Sequence, residues 1–369
     1  MFTKKKESIS ENEKSTSNGM VMNFVKNACK ILFAGVCAGI IISVLLCFYS
    51  LTPIHIENEK GNTDYIWEPN SYWVTMSEGI AWGKYDANGF NNVEVIDNPD
   101  IIIVGSSHME AKNVKQNEST GFRLNEMLDG KYTVYNMGIS GHHINKTCQY
   151  LSASLERFET APRIVIVEAN TVEMSREGVE EILNCSVEFT PSHSRGLLAF
   201  LQKIPFLRVM NHQIEDGLLD MFMQKEEYVA EDNDEGDDNA VEVSEKPQEF
   251  VEKEPYEILF GYLSSLEKKY NTQIVIFYHP VGELEKDGTI SFENSEHLSY
   301  FSSEAINNEI DFIDMTADFE TMYYEKHKVP HGFVTGKAAF GHLNAYGHEA
   351  IAEALYNKII QMEDSSICK

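Results

Sequence analysis

The sequence predicts a three-layer α/β/α domain on a central, mostly parallel sheet of about five strands, preceded by one transmembrane helix. Two observations carry this. From residue 99 onward, short continuous apolar runs alternate with helical patterns, as in strands buried on both faces and covered by helices. Nearer the N-terminus, residues 31–51 form an uncharged run, "ILFAGVCAGIIISVLLCFYSL".

That run is about 30 Å long as a helix, enough to cross a bilayer core. Lys4, Lys5, Lys6, Lys14, Lys26 and Lys30 precede it, so the positive-inside rule puts residues 1–30 in the cytoplasm and the bulk of the chain outside. The run is longer than a signal-peptide core and lacks a small-residue cleavage site. It reads as an uncleaved anchor in the cell membrane. Residues 52–98 follow as an exit and lead-in segment, with "YDANGFNN" reading as turns.

The main domain covers 99–365. Strands are expected at "IIIVG" (101–105), "KYTVYNMG" (131–138), "RIVIVEAN" (163–170), "TQIVIFYHP" (272–280) and "IDFIDM" (310–315). Helices are expected at 121–130, 145–158, 256–270 and from about 345 to 362, where Ile351, Leu355, Ile359 and Met362 form one stripe. A helical insertion is expected at about 173–223. Residues 224–255 hold thirteen acidic residues and three lysines, too polar to offset ordering entropy, and read as a disordered loop. A calcium loop around Asp232 and Asp234 lacks its terminal Glu and flanking helices.

The net charge of −28 excludes nucleic acid as a partner, since phosphate binding needs basic surface. Of six cysteines, Cys148, Cys185 and Cys368 lie beyond the span, with no zinc or redox spacing. Cys148 and Cys185 are read as a disulfide or as free thiols.

Ligands of doubly wound sheets sit beyond the carboxyl ends of the strands. There the sequence offers "GSSH" (105–108), "NMGISGH" (136–142) and "VEANT" (167–171), with "GHLNAYG" (341–347) before the last helix. A serine needs a base and oxyanion donors to act as a nucleophile, and the base can come from anywhere in the chain. Each residue also has a plain role. Ser107 is a good helix N-cap, Gly141 a turn glycine, Asn170 a strand-end cap, and His342 a core histidine.

Taken in order, these four blocks resemble the SGNH (GDSL-type) hydrolase superfamily. The resemblance runs from about 100 to 362, with a gap between 172 and 255. It implies a flavodoxin-like fold, Ser107 as nucleophile, His342 as base, and Ser107, Gly141 and Asn170 as the oxyanion hole. Members place an Asp three residues before the histidine, and here that position is Ala339. Asp314 and Glu173 are candidates to orient His342, as is a backbone carbonyl.

His108, His142, His279 and His331 are expected at a substrate rim. The histidine spacing matches no metal motif, so no metal and no cofactor is expected. The resemblance implies a cell-surface serine esterase or O-acyltransferase acting on acyl, chiefly acetyl, esters of an envelope glycan. The plan also resembles polysaccharide O-acetyltransferases and the D-alanine transfer proteins of teichoic-acid D-alanylation, which implies a membrane acyl-donor protein as partner. With Ala339 in the acid's place, a catalytically inactive binding or scaffold protein of the envelope is the alternative. A lipase is a weaker one.

Overall fold

The computed structural model describes residues 2–49, 55–56, 66–76, 78–184, 252–292, 296–336 and 338–367. The chain falls into two compact units. Of the first, the described part is helix α1 (Phe2–Tyr49), whose stretch Met22–Leu45 has a mean hydropathy of 2.3 and is long and apolar enough to cross a membrane. Ile31, Leu32 and Phe33 along it are more than 70 % exposed. Most of the expected insertion, the acidic loop up to residue 251, Cys185 and Cys368 lie outside the described residues.

The second unit is built on a five-stranded parallel sheet. Its lead-in is an antiparallel hairpin, β1 (Tyr72–Thr75) and β2 (Ala81–Lys84). The sheet strands are β3 (Ile101–Val104), β4 (Val134–Asn136), β5 (Ile164–Ala169), β6 (Gln273–Tyr278) and β7 (Asp311–Asp314), in spatial order β4-β3-β5-β6-β7. Numbering these five in chain order gives 2-1-3-4-5, the doubly wound order in which ligands bind beyond the end of the first strand.

Alternation along the strands explains the three layers, because successive side chains leave opposite faces of a sheet. Ile102, Val104, Val165, Val167, Ile274 and Ile276 enter one core with α4 (Ile144–Glu156) and α6 (Glu254–Tyr270). Ile101, Ile103, Ile164, Ile166, Val275 and Phe277 enter the other with α3 (Thr120–Met127), α8 (Thr316–Lys326) and α9 (Ala345–Ile367), while α7 (Glu296–Asn307) adds Phe301 to the first. Each of these side chains is at most 6 % exposed, and full burial of such a residue contributes about 1.5–3 kcal/mol. The stripe on α9 does face this core, with Ile351, Leu355 and Ile359 buried and Met362 partly so.

Helix α6 starts at Glu254 with Pro255 in its first turn, two residues inside the span expected to be loop. Proline fits there because its missing N–H has no intrahelical partner. Within the expected insertion, α5 (Arg176–Asn184) is described and packs Val179 and Ile182 into the first core. Cys148 is fully buried and free among the described residues, its pKa pushed up to about 12 by burial; the alternative of a disulfide to Cys185 falls outside the described residues.

Candidate active site

Strand β3 ends at Val104, and the chain turns through Gly105 into the short helix α2 (Ser107–Glu110). A side chain on Gly105 would run into Glu168, with a Cβ only 2.2 Å from its Oε2. Ser106 is the helix N-cap, its Oγ accepting the His108 N–H at 3.1 Å. That leaves Ser107 as the first helical residue with its hydroxyl uncommitted to capping. The serine pair therefore divides its work, one residue holding the turn and the other presenting an oxygen.

His342 reaches that oxygen. Its Nε2 lies 2.9 Å from Ser107 Oγ, although 235 positions separate the two. The loop carrying His342 is fixed by Gly332, whose N–H donates to the His342 carbonyl, and by a bridge between His331 and Leu343.

The acid behind His342 is Glu78, in the turn of the β1–β2 hairpin. Glu78 Oε2 lies 2.6 Å from His342 Nδ1, and Oε1 accepts the His342 backbone N–H at 2.6 Å. Burial pushes the Glu78 carboxyl up, but the two hydrogen bonds and the charge of His342 outweigh it and hold it below the ordinary value. An ionised carboxylate only accepts, so Nδ1 donates and the Nε2 lone pair faces Ser107. That fixes the tautomer a general base requires.

This corrects the expectation for the orienting acid. Asp314 instead accepts from the N–H and hydroxyl of Thr316, and Glu173 is exposed on the loop before α5. Ala339 has φ 62° and Gly341 φ 91°, so the segment before His342 turns through left-handed backbone. A Cβ on Gly341 would sit 2.2 Å from Glu78 Oε1; glycine is what lets the carboxylate approach. The hairpin tip is tied down by Asn113, which donates to the Glu78 carbonyl at 2.9 Å, and by Gly79 N–H on Thr335 Oγ1 at 3.0 Å. Trp67, Trp73, Ala81 and Tyr85 form its own small core.

The other two blocks follow the strands flanking β3. After β4, the loop bearing Gly141 is anchored to the nucleophile turn by Ile139 N–H on the Gly105 carbonyl at 2.9 Å. Ser140 N–H donates to Glu110 Oε2 at 2.9 Å, and the Ser140 and Tyr85 hydroxyls bond the same buried carboxylate. Gly141 has φ 81° and is exposed. After β5, Asn170 is partly buried, its Nδ2 3.5 Å from Nδ1 of the exposed His143. The loops of Gly141 and Asn170 thus leave the strands on either side of β3.

The rim expectation is corrected for three histidines. His142 is buried against Tyr150, with ring centroids 4.8 Å apart, and burial pushes its pKa down to about 3. His279 and His331 are 0 % exposed. His108 is half-buried beside His342, ring centroids 5.1 Å apart, its Nδ1 accepting the Leu343 N–H at 3.1 Å. Below the nucleophile turn, Glu168 accepts from Ser106 Oγ at 2.9 Å and from the Ser106 N–H, and lies 2.7 Å from His279 Nε2. Sequence reading passed over Glu78 and Glu168. Glu168 had one signal, a carboxylate inside a strand otherwise wholly apolar.

A cleft of about 560 Å³ opens beside the Ser107–His342–Glu78 line, lined by Ile80, Asn113, Gly332, Phe333, Asn344 and Tyr346 among others. Ser107 and His342 lie outside its lining; the cleft adjoins them through Asn113 and Gly332, which bond Glu78 and His342.

No protein-family model and no curated protein matches this chain. Among solved structures it is similar to the acetyl xylan esterase AlAXEase, with 12% identity and a TM-score of 0.38 over 70% of this chain and 99% of that one. It is also similar to the psychrotrophic esterase EstA from Pseudoalteromonas sp., with 12% identity and a TM-score of 0.34 over 72% and 99%. A third is a catalytic mutant of Axe2, an acetylxylan esterase from Geobacillus stearothermophilus, with 12% identity and a TM-score of 0.38 over 72% and 95%. Likenesses this distant carry no functional weight. The resemblance to the SGNH hydrolases rests instead on this chain's own four blocks, its 2-1-3-4-5 sheet order and the arrival of those blocks at neighbouring strand ends.

Proposed function

We propose that this protein is a serine esterase or O-acyltransferase that works through an acyl-enzyme on acyl, chiefly acetyl, esters of a cell-envelope glycan. The observation that carries the reading is the continuous hydrogen-bonded line Ser107–His342–Glu78 at the end of the first sheet strand. Ser107 Oγ attacks the acyl carbonyl while its proton passes to His342 Nε2, and Glu78 stabilises the imidazolium that forms. The N–H groups of Ser107 and Gly141 and the Asn170 amide stabilise the tetrahedral oxyanion. His342 then gives its proton to the leaving alcohol, and the acyl group stays on Ser107. Water completes hydrolysis, or a glycan hydroxyl completes transfer, with His342 again as base.

The surface location rests on the uncharged run at 31–51, most of it in α1, and the six lysines before it. A site facing outward has no direct access to cytosolic acyl donors, so a transferase of this plan draws its acyl group from a membrane partner. With Glu78 supplying the acid, Ala339 no longer argues for an inactive scaffold.

The test is labelling of the full chain in detergent with a fluorophosphonate, beside Ser107→Ala and His342→Ala. Labelling lost in both variants supports the acyl-enzyme chemistry, and release of acetate from acetylated glycans then tests the substrate class. A folded parent that takes no label and cleaves no activated ester sinks the proposal.

A further inference from the structure

We propose that His108, His279 and His331 form a binding site for one divalent transition-metal cation of the zinc class. One nitrogen from each lies within 4.8 Å of the others, and the ring centroids are 4.7 Å (His108–His279), 5.6 Å (His279–His331) and 5.8 Å (His108–His331) apart. The three come from α2, from the residue after β6 and from the loop before His342, so only folding brings them together.

The decisive observation is what these buried rings lack. His279 and His331 are 0 % exposed, yet His279 Nδ1 and both ring nitrogens of His331 make no hydrogen bond among the described residues. His331 packs edge-on to Phe319 at 5.7 Å, and core packing alone would leave its donor and its acceptor desolvated. Proteins rarely bury such groups without a partner.

His279 is also set up from behind. Its Nε2 lies 2.7 Å from Glu168 Oε1, so the proton goes to the carboxylate side and Nδ1, which makes no hydrogen bond among the described residues, keeps the lone pair a metal needs. A carboxylate that orients a histidine in this way is the usual outer partner of a metal ligand. Glu168 is held in turn by Ser106.

The donor chemistry selects the ion. Three imidazole nitrogens suit Zn²⁺, Ni²⁺ or Cu²⁺, whereas Mg²⁺ and Ca²⁺ favour oxygen. Zinc–nitrogen bonds of about 2.0–2.1 Å in a tetrahedron draw the ligands to about 3.4 Å from one another, so the rings close inward on loading. His108 is the ligand that changes most. Binding through Nε2 puts its proton on Nδ1, which now accepts the Leu343 N–H, and loading exchanges that hydrogen bond for a metal–nitrogen bond.

The test uses the full chain in detergent, stripped with a chelator and titrated with Zn²⁺ against a chromophoric competitor. The parent should take up one tightly bound Zn²⁺ per chain. His331→Gln should weaken it at least about 100-fold, and Glu168→Gln about 10–100-fold. Near-UV circular dichroism reports whether the variants fold. Absence of stoichiometric uptake by the parent overturns the site, and uptake that folded His331→Gln retains in full overturns it by assigning the metal elsewhere. Should the variants unfold, Co²⁺ in the parent decides. Intense visible bands of a tetrahedral nitrogen-ligated ion support the site, and the weak absorption of an octahedral, oxygen-ligated one overturns it. The readout is metal and not turnover, so the outcome is separate from that of the esterase reading.

Discussion

Glu78 Oε2 sits 2.6 Å from His342 Nδ1 across 264 positions of chain, and the same carboxylate accepts the His342 backbone N–H. One side chain therefore fixes the ring, its tautomer and the loop that carries it. Glu78→Gln keeps the shape but removes the obligate acceptor, so the amide can equally present its NH₂ to Nδ1 and the wrong tautomer becomes available. Fluorophosphonate labelling and ester cleavage should fall by about 10³–10⁴, with the melting temperature little changed. A rate within a few-fold of the parent would remove Glu78 from the triad.

Gly341 decides whether that contact can form. Gly341→Ala places a Cβ against Glu78 Oε1 at a residue with φ 91°, where alanine is strained. The variant should lose about 1–2 kcal/mol of stability in a urea titration and label markedly more slowly. A drop in stability with labelling intact would mean that Glu78 adjusts without leaving His342.

Glu110 is the prop of the loop that bears Gly141. It is fully buried, and Ser140 and Tyr85 both bond it. Glu110→Ala leaves those groups unpaired and opens a void, an expected cost of about 3–5 kcal/mol. Hydrogen exchange should rise first at Ser140 and Gly141. Uniform loosening without a local focus would assign Glu110 to general core packing.

His348 makes stability depend on pH. It is 0 % exposed, its Nδ1 2.9 Å from Thr120 Oγ1, and burial pushes its pKa down to about 3 although Glu168 pulls the other way. In the unfolded chain it returns to about 6.5. The unfolded state then binds the proton first, so this contribution is complete above about pH 6.5 and is lost as the pH falls toward the folded value. The slope approaches about 1.4 kcal/mol per pH unit. Urea midpoints measured between neutral pH and pH 5, with chelator present, should decline, and His348→Gln should make the decline shallower, with buried His142 still contributing. Equal slopes in the two proteins would show that other groups carry it.

Much of the sheet was legible because its signals are local. Runs such as "IIIVG" and "TQIVIFYHP" are too short for helices and apolar on both faces, and each of the five expected strands is present. The helical stripe of α9 was legible for the same reason. Ser107 and His342 could be named because strand ends and the start of the last helix are readable places. The division of labour between Ser106 and Ser107 was not, since either serine can cap a helix.

The sequence by itself determined the parallel α/β domain, the apolar stretch near the N-terminus and the serine and histidine at readable positions. Tertiary structure alone decided the acid, because any of the many carboxylates could have reached His342 and only the packing of the hairpin selects Glu78. It also decided that His279 and His331 are core residues beside His108 and not a rim. Hydrogen bonds and burial between residues hundreds of positions apart leave no periodicity along the chain, and so become visible only once the sheet has brought its strand ends together.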